Sequence, residues 1–422
     1  MSKFICGTMG SVTCFLDKNI AQNDKVNSFF HKTINSFLDT FYECVTNNPK
    51  LIHKKAARMT ERFKNHSLFA NCEFYLDSGG FQISTGKIHT DKVESLLDIY
   101  YGFLAEDKNY DYAFTLDVPL TKVSLGGNDV ELNDKSYKIA ASLSEDIRKK
   151  ILYIHHFGSP DKYLAFKYLL FKLDSINKFD RFSIGGLAAG EYANFPVHSI
   201  AFGLVDLLKE SIRTKRTLLP VHILGLSNNV YSLLSALFRR HIKACHGVDV
   251  QFTQDTISPI KDAMVSRSVN YIEHDAMRSI QFNRKNYKIP SYQRIILERI
   301  NLLENYGIDT SKFQLDEGDG LGMIGRSYLL LANLLFIHER EQIYDKVSEE
   351  LYPLVEEQNY SELSNLIAYH TGKKAKYNRQ VANLLSNSFD LLESLDSNKQ
   401  NHYAQYLSKT GLAVKEDSII KF

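Results

Sequence analysis

The stretch Phe74-Tyr75-Leu76-Asp77-Ser78-Gly79-Gly80-Phe81-Gln82 sets the reading of the whole chain. A short apolar run, two of its three residues aromatic, stops at an acid, a hydroxyl and two glycines, and an aromatic and an amide follow. A run of this kind favours a strand, which delivers the Asp77 carboxylate to an edge of a sheet. The paired glycines let the backbone approach a ligand closely or adopt positive φ. Taken alone, the same residues also describe a plain strand followed by a Gly-Gly turn that Asp77 caps.

Working outward, the pattern recurs. Phe4 to Gly7 runs into Thr8-Met9-Gly10-Ser11, and Tyr112 to Leu116 ends at Asp117. Ile151 to Ile154 ends at His155-His156, Arg181 to Ile184 at Gly185-Gly186, Val221 to Leu224 at Gly225, and the run from Val248 at Asp255. Helical spacing fills the intervals near residues 24–45, 90–105, 133–149, 160–173, 197–211 and 230–244. Strands alternating with helices in this way predict a parallel sheet. Seven such units can be counted, one short of a (β/α)8 barrel, and the eighth strand is expected after Asp255. A doubly wound open sheet would want a G-x-G-x-x-G turn after its first strand, and this chain lacks one. From about Arg278 long helical patterns take over, at 292–306, 323–352, 360–370 and 378–395. The predicted organisation is an α/β chain: a (β/α)8 TIM-like barrel over residues 1–277 and a helical C-terminal region over 278–422.

The 422 residues are 44% apolar, ample for such a core. With 51 basic and 49 acidic residues the net charge is +2, so no global field advertises a nucleic acid, although a local basic groove remains compatible with that sum. Cys6, Cys14, Cys44, Cys72 and Cys245 are isolated from one another, which fits a reducing compartment and neither a disulfide framework nor a thiolate zinc site. The longest apolar run, Leu329 to Ile337, is too short to span a bilayer, and the N-terminus does not read as a leader. A soluble, cytoplasmic protein without a membrane partner is expected.

Catalytic side chains of parallel α/β barrels come from the carboxyl ends of several strands. Here those ends would bring together Asp77-Ser78, Asp117, His155-His156, the Gly185-Gly186 turn, Gly225 and Asp255. Each has an ordinary alternative: a helix cap, a satisfied core histidine, a tight turn. Three carboxylates suit either a hard metal held by oxygen ligands or a division of labour among nucleophile, acid/base and ligand-reading carboxylate. The glycine turns, with their backbone N–H groups and flat approach, favour the second, and no metal site is predicted.

These residues also carry a resemblance. Asp77-Ser78-Gly79-Gly80-Phe81-Gln82 resembles the signature of the tRNA-guanine transglycosylase superfamily, and Gly185-Gly186-Leu187-Ala188-Ala189-Gly190-Glu191 is similar to its second signature. Asp117 after Phe114-Thr115-Leu116 resembles the family's base-reading aspartate, and Val221-His222-Ile223-Leu224-Gly225 the segment before its last catalytic strand. Order and spacing agree over residues 70 to 260. The resemblance implies a barrel that swaps guanine in a polynucleotide for a free 7-deazaguanine base through a covalent aspartyl-glycosyl intermediate, with no cofactor. It implies that Asp77 is the general acid/base and that Ser78, Gly79 and Phe81 belong to the base pocket. Asp117 would accept from the purine edge, and the backbone at Gly185, Gly186 and Leu187 would meet the base's carbonyl. Asp255, at a strand's end, is the expected nucleophile. Asp249, at the start of the same predicted strand, is the second choice.

The chain also departs from that family. No cysteine follows Cys245 to build its closing zinc cluster, Ile257-Ser258-Pro259-Ile260-Lys261 replaces its arginine-bearing loop, and His155-His156-Phe157-Gly158 stands where Gln-Gly reads the base. This combination looks more like the superfamily's DNA-acting branch, whose phage and bacterial members insert 7-deazaguanines that evade restriction. DNA is thus the preferred partner and tRNA the alternative, and a phage-encoded enzyme would work in the host cytoplasm. A guanine inside a duplex must be flipped out or met single-stranded. Arg278, Arg284, Lys285, Lys288 and Arg294, interleaved with Phe282, Tyr287 and Tyr292, are candidates for backbone contact. So are Lys373, Lys374, Lys376, Tyr377 and Arg379, although ordinary solvated faces have the same composition. Two other classes stay open: a catalytically silent nucleic-acid-binding barrel, and a metal-dependent hydrolase using the carboxylates with His155 or His156.

Overall fold

The computed structural model describes residues 3–7, 9–46, 48–84, 87–88, 92–118, 129–156, 175–185, 196–214, 220–225, 228–282, 288–315, 321–373, 378–396 and 398–399. Eight strands form one closed barrel: β1 (Lys3–Gly7), β2 (Ser36–Thr40), β3 (Glu73–Asp77), β4 (Tyr112–Phe114), β5 (Ile151–His156), β6 (Arg181–Gly185), β7 (Val221–Ile223) and β8 (Phe252–Thr256). Neighbours pair in parallel throughout, and β1 closes against β8 with Ile5 opposite Asp255. This is the expected (β/α)8 barrel with a helical extension.

The eighth strand is not where it was expected. It is β2, inside the stretch read as one helix over 24–45. Val26, Phe29, Phe30, Ile34, Phe37, Leu38 and Phe41 keep a helical series of threes and fours across the break, which hides a five-residue strand. The helix itself stops at Lys32. After β8 the chain forms instead a two-stranded antiparallel hairpin outside the barrel, β9 (Ser268–Glu273) and β10 (Ala276–Gln281). The boundary drawn between residues 277 and 278 runs through β10.

Alternation along each strand builds two cores. Inward positions Ile5, Leu38, Tyr75, Phe114, Leu152 and Ile154 fill the barrel, with Tyr112 and Leu224 packed against them. Outward positions such as Phe37, Phe74, Leu76, Tyr153, Ile184, Val221 and Phe252 pack against the helices. At the amino end of the barrel, Glu73 accepts from Lys3, Ser36 and Tyr75, and the Arg181 guanidinium lies 4.1 Å from the Tyr112 ring centre. These polar contacts mark the amino end, and in parallel barrels function sits at the opposite, carboxyl end.

The C-terminal helices are a second layer over barrel helices. Helix Met323–Glu356 packs on helix Asn229–His246, which explains the long apolar run Leu329–Ile337: it is buried from more than one side. Its Asn333 donates to the Ser268 carbonyl at 3.0 Å and accepts from the Asn270 N–H at 3.1 Å, pinning the hairpin. Helix Asn378–Ser394 rests on helices Pro196–Thr214 and Asn229–His246, where His241 and His246 meet the carbonyls of Phe389 and Leu392.

Candidate active site at the carboxyl end of the barrel

The strand ends converge as a mouth. On β3, Tyr75 points into the barrel, so Asp77, two residues on, points inward one layer higher. Thr40, opposite it on β2, donates its hydroxyl to Asp77, and the Gly79 N–H donates as well. Burial, then the charge of Asp117, then that of Asp255 outweigh those bonds and push the Asp77 carboxyl up to about 7. A carboxylic acid that titrates near neutrality can both give and take a proton.

Asp117 lies beyond β4 on a segment stitched from behind. The Leu116 N–H donates to the Tyr101 hydroxyl at 3.0 Å, and Asn133 brackets Val118 by accepting from its N–H at 2.9 Å and donating to its carbonyl at 3.0 Å. The carboxylate is 5% exposed, and the Ser78 hydroxyl donates to its Oδ1 at 3.4 Å. The two glycines of the opening stretch now have separate reasons. Gly79 has φ +90°, and a Cβ on Gly80 would stand 2.2 Å from Asp117 Oδ1. What comes close to the Gly80 backbone is therefore the Asp117 carboxylate.

Asp255 is fixed by one of its oxygens. Its Oδ1 accepts from the Gly225 N–H at 2.8 Å and meets His222 Nε2 at 3.0 Å. The other ring nitrogen, Nδ1, lies 2.8 Å from the Thr253 hydroxyl, and the ring rests 4.9 Å from that of Phe114. His222 is fully buried and Asp255 keeps 18% of its side chain exposed at the mouth. Asp249 lies elsewhere. It precedes β8, is 72% exposed, and pairs with Lys243 at 2.7 Å on the amino side of the barrel. The strand starts at Phe252 rather than Val248, so Asp249 precedes it, on the same amino side where the start of the expected strand put it.

The remaining expected residues divide. Gly185 ends β6 opposite His156 on β5. His155 is buried with Nε2 3.6 Å from Asp206 Oδ2 on helix Pro196–Thr214, so it faces away from the barrel axis, as its alternation with Leu152 and Ile154 requires. Gly186, Leu187, Arg284, Lys285, Lys374, Lys376 and Tyr377 lie outside the described residues, as do the helix expected at 160–173 and the side chains of Phe81, His156 and Arg379. Lys288 and Lys373 are exposed, whereas Phe282 is a core residue. The described residues bordering the two segments touch: Gly372 packs on the Met277 carbonyl of β10, and Arg278, paired with Glu273, lies 5.8 Å from the Tyr369 ring centre. Asn229, at the mouth-side start of its helix, donates to the Thr371 carbonyl at 3.4 Å, so Lys373 sits beside the β7 corner of the mouth.

Two residues of the site, Thr40 and His222, were not foreseen. Thr40 was hidden with β2. Asp39, beside it and outward by the same alternation, accepts from the N–H groups of Thr40 and Gly10 and is pushed up to about 6, first by burial. His222 had a legible signal: a polar residue at the inward position of an otherwise apolar strand.

Among the described residues, no group of three or more His, Cys, Asp or Glu side chains is arranged to hold a metal ion, and no helix is long and apolar enough to cross a membrane. No protein-family model matches the chain, and no curated protein matches it.

Proposed function

We propose that the protein exchanges guanine in DNA for a free 7-deazaguanine base through a covalent glycosyl-aspartate, with Asp255 as nucleophile and Asp77 as general acid/base. The observation that carries this reading is the contrast between two aspartates sharing one mouth. Asp77 is pushed up to about 7, while Asp255 is held by two donors on a single oxygen. A carboxyl group that titrates near neutrality suits the proton carrier, and a carboxylate with both donors on one oxygen leaves the other to bond to carbon.

In the first half, Asp255 attacks C1′ as the C1′–N9 bond breaks, and Asp77 gives its proton to the departing guanine. In the second half, Asp77 takes the proton of the incoming base, whose nitrogen displaces Asp255 from C1′. Asp117, packed against Gly80, accepts from the purine edge. Support for a polynucleotide substrate comes from Lys373, exposed two residues beyond the Thr371 carbonyl that Asn229 holds at the mouth-side start of its helix, and from the exposed Lys288. The preference for DNA over tRNA rests on the absence of cysteines after Cys245 and on the helical C-terminal layer.

The test supplies purified protein with radiolabelled guanine and separate single-stranded DNA, duplex DNA and tRNA acceptors. Label entering DNA is the expected result. Label in tRNA alone overturns the DNA assignment, and label in none of them favours the silent barrel.

A further inference from the structure

We infer that His222 is a positioning residue that makes Asp255 a good leaving group in the second half of the exchange. The inference rests on the proposed reaction and adds a residue to it. Two donors converge on Asp255 Oδ1, the Gly225 N–H at 2.8 Å and His222 Nε2 at 3.0 Å. Among the described residues, both hydrogen bonds to this carboxylate fall on Oδ1, so Oδ2 is the oxygen that bonds to C1′. The Asp255 carboxylate sets the tautomer: it can only accept, so the proton sits on Nε2, directed at Asp255, and Nδ1 accepts from the Thr253 hydroxyl 2.8 Å away.

The consequence is kinetic and asymmetric. In the glycosyl-enzyme, Oδ1 is the carbonyl oxygen of an ester, and its hydrogen bonds are weak. When the incoming base displaces Asp255, the C1′–Oδ2 bond breaks and its electron pair returns to the carboxylate. The developing charge is then shared with Oδ1, where two preorganised donors wait, the buried His222 ring from inside the barrel and the Gly225 N–H from the mouth. In the first half the same charge is consumed, so the donors slow attack while assisting departure. Removing the His222 donor therefore spares the first half and impairs the second. A side chain that merely filled the barrel beside Phe114 would affect neither half selectively.

The experiment compares wild type with His222→Phe, which keeps a ring against Phe114 but donates nothing, and His222→Gln, whose amide can donate. Guanine release and adduct formation on a DNA oligonucleotide report the first half; resolution of the isolated adduct by added base reports the second. His222→Phe is expected to slow resolution about 100-fold, the usual effect of losing one such donor, and to change adduct formation by less than about 10-fold, so that adduct accumulates. His222→Gln is expected to restore most of the resolution rate. Equal slowing of both halves, or no recovery in the glutamine variant, overturns the assignment. A wild type that forms no adduct and exchanges no base counts against the reaction itself. The hydrogen-bond pattern is then read separately, by side-chain nitrogen NMR of the histidines. An Nε2–H signal for His222 that moves in Asp255→Asn supports the positioning geometry, and an Nδ1–H tautomer overturns it.

Discussion

Replacing Asp77 by Asn should stabilise the protein, and by an amount that depends on pH in a defined way. Folding raises this carboxyl from an ordinary value near 3.8 to about 7. Below pH 3.8 the side chain is neutral in both folded and unfolded chains, and nothing is lost. As pH climbs from there to about 7, the unfolded chain ionises while the folded chain resists, so stability falls; above about 7 the loss is constant. Each unit of separation corresponds to about 1.4 kcal/mol, which bounds the loss at about 4 kcal/mol, and relaxation at the partly open mouth reduces it to about 2–3 kcal/mol. The amide oxygen of the variant can still accept from Thr40 and Gly79 but carries no charge against Asp117 and Asp255. Guanidinium unfolding of both proteins at pH 4, 5, 6, 7 and 8 measures the difference, in which the titrating groups that do not face Asp77, Asp39 among them, largely cancel. The variant's advantage should grow between pH 4 and 7 and then level off. A difference that stays flat across that range, or a variant less stable than wild type at pH 8, would refute the claim that burial and two neighbouring carboxylates hold Asp77 protonated.

Other perturbations bear on the geometry. Gly80→Ala places a Cβ 2.2 Å from Asp117 Oδ1, so the carboxylate must move. The expected cost is about 1–3 kcal/mol of stability by chemical denaturation, together with a rise in KM for the base. Asn333→Leu leaves the Ser268 carbonyl and the Asn270 N–H without their partner, for a loss of about 1–3 kcal/mol and fast hydrogen exchange at the Asn270 amide. Asp249→Asn removes only an exposed pair with Lys243, and base exchange should stay within about 2-fold of wild type in a labelled-guanine assay.

The fold is legible in the sequence wherever period and punctuation agree. The apolar run Phe74 to Leu76 is closed by an acid, a hydroxyl and two glycines, and helices such as Tyr360–His370 and Met323–Glu356 begin within a residue of where the pattern puts them. β2 is not legible because its apolar positions extend the helical series of the preceding segment; only pairing with β1 and β3 on either side makes Ser36–Thr40 a strand. That one displacement has a chemical consequence, since it conceals Thr40, a hydroxyl bonded to Asp77. Asp255 and Asp249 are told apart in the sequence by the end of a strand each occupies, and that order survives a strand start four residues later than the pattern puts it: Asp255 lies near the end of β8 and Asp249 before it. His155 shows the opposite limit. Its type and position at a strand end invite a role at the mouth, but the two-residue period sends it outward to Asp206.

The most direct measurement is the identity of the residue that carries the sugar. Protein incubated with guanine-containing DNA and no incoming base is quenched, digested with protease and nuclease, and searched by mass spectrometry for a glycosylated peptide. The modification is expected on Asp255, lost in Asp255→Asn and retained in Asp249→Asn. A sugar on Asp77 or Asp249, or base exchange that persists in Asp255→Asn, would contradict the proposed chemistry.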